Sequence, residues 1–326
     1  MSRVFDRTER EHAGTSAPPR ATIPQPPASR PHAPQNGPLC DPAFLPDVCR
    51  LLLEHLLVLP CRMQLDTEAA DATVPMLRGV WGKAVHELFP EIYGRVFDVG
   101  SAPGSVAVSP PYVIRAAPPF PEWVPAVEII LIGSAIEYSR ELDKCWEYAG
   151  REGLGKLRRP FEIRRRETIL PDESTGVDGD PWPLAQAGWP LSADAPCRLV
   201  FPAPLRLRRK GRLIESPTLA DLVAALNRRI AGYLPERYRS LWLQLGRQLL
   251  ELAKQTPQTS WQGTRLDLVR YSGRQKTELE LHGVSGSLEL PRGPGVLLPL
   301  LAAAQWLHVG KNTVMGMGQL LVEPLQ

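Results

Sequence analysis

Cysteine is scarce in this sequence and poorly placed for cross-linking. The five present, Cys40, Cys49, Cys61, Cys145 and Cys197, are odd in number and contain no Cys-x-x-Cys spacing. That argues against a disulfide framework or a cysteine-held zinc, and leaves the thiols as small buried side chains in a reducing cytoplasm. Long apolar runs are also missing: none approaches the roughly 20 residues of a membrane-spanning helix, so no membrane partner is expected. The opening residues Met-Ser-Arg-Val-Phe-Asp-Arg-Thr-Glu-Arg lack the apolar stretch of a signal peptide. There are no paired carboxylates, no His-Glu-x-x-His helix and no His/Cys cluster with ligand spacing. The sequence therefore offers no metal site and asks for no cofactor.

Proline is plentiful, and eight of the 35 fall within residues 1–40, among Ala, Ser, Gln and Arg. Such a segment buries too little apolar surface to offset its ordering entropy, so it reads as a disordered tail. Charge is uneven along the chain. Residues 1–150 carry 13 Lys/Arg against 18 Asp/Glu, residues 151–190 carry 7 of each, and residues 191–326 carry 18 against 10. The surplus of +8 at the C-terminal end suits a face that meets phosphates, although ordinary surface solubilisation would look alike.

From Cys49 onward the pattern becomes structured. Residues 50–65 read as a strand, 74–89 as a helix stopped by Pro90, 112–114 and 106–108 as short β pieces, and 127–132 as a strong strand. A helix over 135–151 and a strand over 160–170 follow, with Gly153 and Gly155 between them. The second half repeats this order: strand 197–207, a helical region over 218–254, strands 264–271 and 284–290, helix 297–309 and strand 320–323. Pro202 and Pro204 mark the 197–207 strand as bulged or at an edge. Each half thus has the β-α-β-β-α-β order of a ferredoxin-like unit. The expected class is α+β: two tandem ferredoxin-like (RRM-like) domains over 41–170 and 196–326, a linker over 171–195, and the tail over 1–40.

The segment His308-Val-Gly-Lys-Asn-Thr-Val-Met-Gly-Met-Gly318 is the densest in chemistry. Gly310, Gly316 and Gly318 allow a tight loop that offers N–H donors to an anion, with Lys311 beside them. It is not a Walker A loop. Gln305 stands where the first glycine belongs, Asn312 follows Lys311, and the loop follows a helix. This helix, glycine loop and closing strand resemble the C-terminal signature of the CRISPR-associated RAMP-superfamily endoribonucleases that process precursor guide RNA, the sixth Cas family. Leu77-Arg-Gly-Val-Trp-Gly82 is similar to that family's early helix. Gly153-Leu-Gly-Lys-Leu-Arg-Arg159 is similar to its mid-chain glycine loop, and Tyr271-Ser-Gly-Arg-Gln275 with Gly283-Val-Ser-Gly-Ser-Leu288 to the strand pair before its last helix.

The resemblance implies a metal-independent endoribonuclease. It would cut CRISPR repeat RNA by 2′-hydroxyl attack, leaving a 2′,3′-cyclic phosphate. It also implies a possible place in a CRISPR effector complex. Such cleavage needs a base, an acid and a cation near the phosphate. Of the six histidines, His12 and His32 lie in the tail, His55 sits in an apolar run and His282 at a strand turn. The resemblance makes His86, near the end of the first helix, a catalytic candidate. His308 and Lys311 qualify by their place at the glycine loop. Candidate RNA-binding residues are Arg78 and Lys83 on the first helix, and Arg158, Arg159 and Arg164 around the following strand. The run Arg206, Arg208, Arg209, Lys210 and Arg212, with the loop residues Gly310, Lys311, Gly316 and Gly318, completes the set. Two other functions stay open: a non-catalytic RAMP subunit that binds guide RNA, and a protein-interaction module working through the Pro-rich tail.

Overall fold

The computed structural model describes residues 39–66, 72–99, 109–116, 126–272 and 277–325, with the side chains of 268–281 left aside. Residues 1–38 of the expected tail, the β piece at 106–108 and the Tyr271 side chain lie outside the described set, while Leu39 and Cys40 are bonded to Gln248.

The first half opens with helix α1 (Leu45–Leu53), then β1 (Leu57–Asp66), α2 (Val74–Leu88), α3 (Pro90–Val96), β2 (Tyr112–Ala116), β3 (Ala126–Ile132), α4 (Ser139–Glu152) and β4 (Glu162–Ile169). Two-residue strand β5 (Thr175–Gly176) then extends this sheet beside β4, and β6 (Trp182–Pro183) pairs with the first residues of β1, so part of the 171–195 segment belongs to it. The order β2-β3-β1-β4, antiparallel throughout, is the ferredoxin-like arrangement.

The second half contains β7 (Cys197–Leu205), a small hairpin β8 (Arg208–Arg209) and β9 (Arg212–Leu213), α5 (Leu219–Tyr233), α6 (Glu236–Gln255), β10 (Gln262–Ser272), β11 (Thr277–Leu290), α7 (Leu298–Leu307) and β12 (Leu321–Pro324). Its sheet runs β10-β11-β7-β12, the same arrangement. The α+β class with two ferredoxin-like units is therefore what the chain adopts.

Three local readings change. Residues 45–53 form a helix and not the start of a strand: Pro46 fits its first turn, and Leu45, Cys49, Leu52 and Leu53 make one buried stripe. Pro90 does not only stop α2; it opens α3 at a position where a missing N–H costs nothing. Strand β7 is central rather than an edge, paired with both β11 and β12, while the bulge also expected is present: the register against β11 shifts between Phe201 and Leu205, where Pro202 and Pro204 sit. Its prolines are tolerated because β12 pairs only with residues 197–200, so Pro202 and Pro204 face no ladder on that side.

Two cores result. One lies between α2, α4 and a face of the first sheet, with Trp81 stacked on Trp146 at 5.1 Å between ring centroids. The other joins the opposite face of that sheet (Val58, Val113, Ile130 and Ile132) to α1, α5, α6, α7 and the second sheet. Cys49, Cys145 and Cys197 are buried and all five thiols are free. Burial pushes the Cys49 thiol up to about 12.

Candidate active site and nucleic-acid interface

Helix α7 is almost wholly apolar and ends at Leu307; the chain then turns sharply through His308 (φ 57°, ψ 164°) into the glycine loop. Val309 N–H donates to Gly318 O at 2.8 Å and closes the loop on itself. Lys311 N–H donates to Arg206 O, and Gly318 N–H to Pro204 O, both at 2.9 Å, tying the loop to the end of β7. Met315 and Gly316 N–H groups donate to Asn312 and Thr313. These five donors are spent inside the chain, so the Lys311, Gly316 and Gly318 N–H groups are not open to an anion as the sequence suggested. The glycines have a steric role instead. Gly310, Gly316 and Gly318 all have left-handed φ (86°, 82° and 71°), and a Cβ on Gly318 would lie 1.9 Å from the Val309 carbonyl oxygen. What the loop presents outward is the exposed Lys311 side chain.

Beneath the loop lies a buried polar layer. His308 is fully enclosed, with Nδ1 at 3.0 Å from Met317 O and Nε2 without a hydrogen-bond partner among the described residues. Burial holds its pKa well below the usual imidazole range, and the nearby Arg115 and Arg229 guanidiniums push the same way. A neutral, enclosed ring shapes the loop and cannot reach an RNA phosphate in this conformation. That removes His308 from proton transfer as read from the sequence. Its backbone sits where non-glycine residues are rare, at a cost of order 1–3 kcal/mol that the surroundings must impose.

Arg229, only 7% exposed, donates to Gly310 O, to Thr313 Oγ1 at 2.8 Å and to Tyr233 Oη at 3.3 Å. Arg115 donates to Gln305 O at 2.8 Å, lies over the Trp306 ring, and shares the fully buried Glu128 with Arg62. The sequence reading missed these roles. The signals were present: Glu128 is the lone charge in an apolar strand, and Arg229 follows Leu222 by seven and Leu226 by three on the buried face of α5.

Next to the loop stands the β8–β9 hairpin, a two-residue turn whose Lys210 and Gly211 both have positive φ (49° and 82°). It exposes Arg208, Lys210 and Arg212, while Arg209 pairs with Asp221 of the α5 capping box. Arg206 is turned inward, donating to His282 O at 3.1 Å. His282 Nδ1 in turn lies 2.6 Å from Asp267. Lys311, the hairpin and Arg206 are thus brought together.

The first-half candidates gather elsewhere. His86 is exposed on the last turn of α2, its ring edge-on to Tyr93 at 4.9 Å. Lys83 pairs with Glu152 and Glu87, Arg158 reaches Glu152 at 3.8 Å, and Arg159 bridges Leu154. Arg164 pairs with Asp66 at 2.7 Å. Arg78 does not face an anion: its Nε donates to Tyr112 Oη at 3.1 Å and its guanidinium lies over Phe97. The glycine loop touches α2 at its other end, where a Cβ on Gly316 would meet Val74 at 3.3 Å. Twelve residues of helix separate Val74 from His86, about 18 Å along the axis. His86 and the Gly316 side of the loop therefore lie at opposite ends of α2. Among the described residues, no group of three His, Cys, Asp or Glu side chains converges on a possible metal position, and no helix is long and apolar enough to cross a membrane.

Residues 199–320, which span β7 to the end of the glycine loop, match the family described as CRISPR-associated endoribonuclease Cas6. No curated protein matches the sequence significantly. Among solved structures, a Cas6 (TTHB231) product complex has TM-score 0.54 at 14% identity, and a Cas6 (TTHA0078) product complex 0.53 at 20%. Thermus thermophilus Cas6 (TTHB231) has TM-score 0.52 at 12% identity. Each comparison covers 82% of this chain and 99% of the other. At such identities the likeness establishes the fold.

Proposed function

We propose, for a chain that belongs to the Cas6 family of CRISPR-associated endoribonucleases, that it cuts CRISPR precursor RNA within the repeats without a metal ion. The reaction is attack of the 2′-hydroxyl on the adjacent phosphorus, giving a 2′,3′-cyclic phosphate and a 5′-hydroxyl. The observation that carries this reading is the family match across the glycine-loop half together with an exposed basic face there. Lys311 and the hairpin residues Arg208, Lys210 and Arg212 project from neighbouring segments and suit a track for an RNA backbone.

In this reading the tasks are divided. The second half holds the RNA, and His86 moves the proton, because it is exposed where His308 is enclosed. Arg158, exposed beside the Lys83–Glu152 pair, is the cation placed to meet charge near His86. The glycine loop is a rigid mount for Lys311 and not an amide cradle. Repeat RNA, with or without a CRISPR effector complex around it, is the partner this arrangement suits.

The test is single-turnover cleavage of repeat RNA in EDTA. His86→Ala should slow cutting by roughly 10²–10⁴-fold while RNA affinity stays nearly constant. Loss of wild-type cutting in EDTA sinks the metal-free chemistry. A near-normal rate for His86→Ala removes His86 from it. Tight RNA binding with no cleavage by the wild type would favour the non-catalytic subunit that binds guide RNA.

A further inference from the structure

We infer that Arg229 is a positioning residue for RNA capture: it sets the shape of the glycine loop from inside the protein and ties that shape to the first ferredoxin-like unit. The inference rests on the loop serving as the mount of Lys311 in RNA binding.

In sequence, Arg228-Arg229 reads as a surface pair on a helix. The structure divides them. Arg228 is exposed, whereas Arg229 turns under the loop. Its guanidinium donates to Gly310 O and to Thr313 Oγ1, which flank Lys311 and Asn312. Those two residues form the outermost bend of the loop, where Asn312 takes a left-handed φ of 61°. A planar guanidinium with donors in fixed directions fixes two acceptors relative to each other, as a lysine ammonium cannot. The same side chain donates to Tyr233 Oη, and Tyr233 donates to Pro110 O at 2.9 Å, two residues before β2. One buried cation therefore connects the loop of the second unit, helix α5 and the edge strand of the first unit. Among the described residues no carboxylate pairs with Arg229; its charge is met there by a carbonyl and two hydroxyls. Such a group costs much to desolvate, and its hydrogen bonds to the loop are what offset that cost, which ties the loop geometry to the guanidinium.

The experiment compares full-length wild type with Arg229→Gln, Arg229→Lys, Thr313→Val and Tyr233→Phe. Affinity for repeat RNA, the single-turnover rate at saturating RNA, and amide hydrogen exchange over residues 309–318 are measured. Arg229→Gln should weaken RNA binding about tenfold or more, as expected for loss of hydrogen bonds from a charged donor. The saturated rate should change less than about threefold, and loop exchange should speed up while the first sheet stays protected. Arg229→Lys should fall between. Thr313→Val should weaken binding by a smaller factor, and adding it to Arg229→Gln should cost little more, since both remove one network. If Arg229→Gln does not fold, Thr313→Val and Tyr233→Phe, which keep the cation, carry the test through the same readouts. Wild-type affinity and wild-type loop exchange in the folded variants overturn the inference. Faster loop exchange with unchanged affinity also overturns it as a role in RNA capture. Unchanged RNA affinity in Lys311→Ala would instead count against the reading of the loop as the RNA mount.

Discussion

Each ferredoxin-like half places a glycine turn between its second helix and fourth strand, and the two turns are built differently. In the first, Gly153 (φ 76°) and Gly155 (φ 69°) lead into a bend closed by the Leu154–Arg159 bridge, with Leu157 and Arg158 in solvent. It is held by its own backbone. The second is longer and stands on a buried polar layer of Arg229, His308 and the carbonyls of β7. The same topological position thus yields a local turn in one half and a rigid platform in the other. The difference lies in what is packed underneath, not in the glycines.

Substitutions at matched positions can break this comparison. The largest effect is expected for Gly318→Val. Its Cβ would overlap the Val309 carbonyl, which is backbone and cannot step aside, at a position with φ 71°. We expect a loss above about 4 kcal/mol, or no folded protein, by chemical denaturation; a cost under about 1 kcal/mol would show that the loop is far softer than described.

A middle-sized effect concerns His308. Its folded pKa is depressed while the unfolded value is about 6.5, so the unfolded chain binds more protons between the two. The stability tied to the neutral ring is complete above about pH 6.5 and is lost as pH falls toward the folded value. Thermal unfolding of wild type against His308→Asn should show a steeper acid decline in the wild type. Parallel curves would mean that the ring is not held neutral.

The smallest effect is expected for Gly155→Ala. Only the flexible Met76 Cε approaches, at 3.3 Å, so the cost is the backbone term of about 1–2 kcal/mol for a left-handed residue. RNA cleavage should be unaffected. A collapse comparable to that of Gly318→Val would erase the distinction between the two turns.

Much of the fold was legible because hydrophobic periodicity is local information. The strand read at 127–132 and helix α2 are each written in a few adjacent residues. The end of helix α1 was misread because Leu51–Leu59 is rich in leucine and valine on both sides of Glu54-His55, and periodicity alone does not divide so short a run between helix and strand. The candidate site was less legible. Arg78, Arg206 and Arg229 look alike on paper. Yet one is bonded to a tyrosine, one to a strand carbonyl, and one is buried under a loop.

The sequence by itself determined the α+β class, the repeated β-α-β-β-α-β order and the glycines at the C-terminal loop, since each follows from residue type and spacing. Only the tertiary structure decided which charges face solvent and which face the core. It turned Glu128, Arg115 and Arg229 into an internal scaffold, enclosed His308 and left His86 in solvent. It also set His86 and the glycine loop at opposite ends of one helix. A side chain's chemistry depends on its distance from water and from other charges, and long-range packing between β2, α5 and α7 sets those distances.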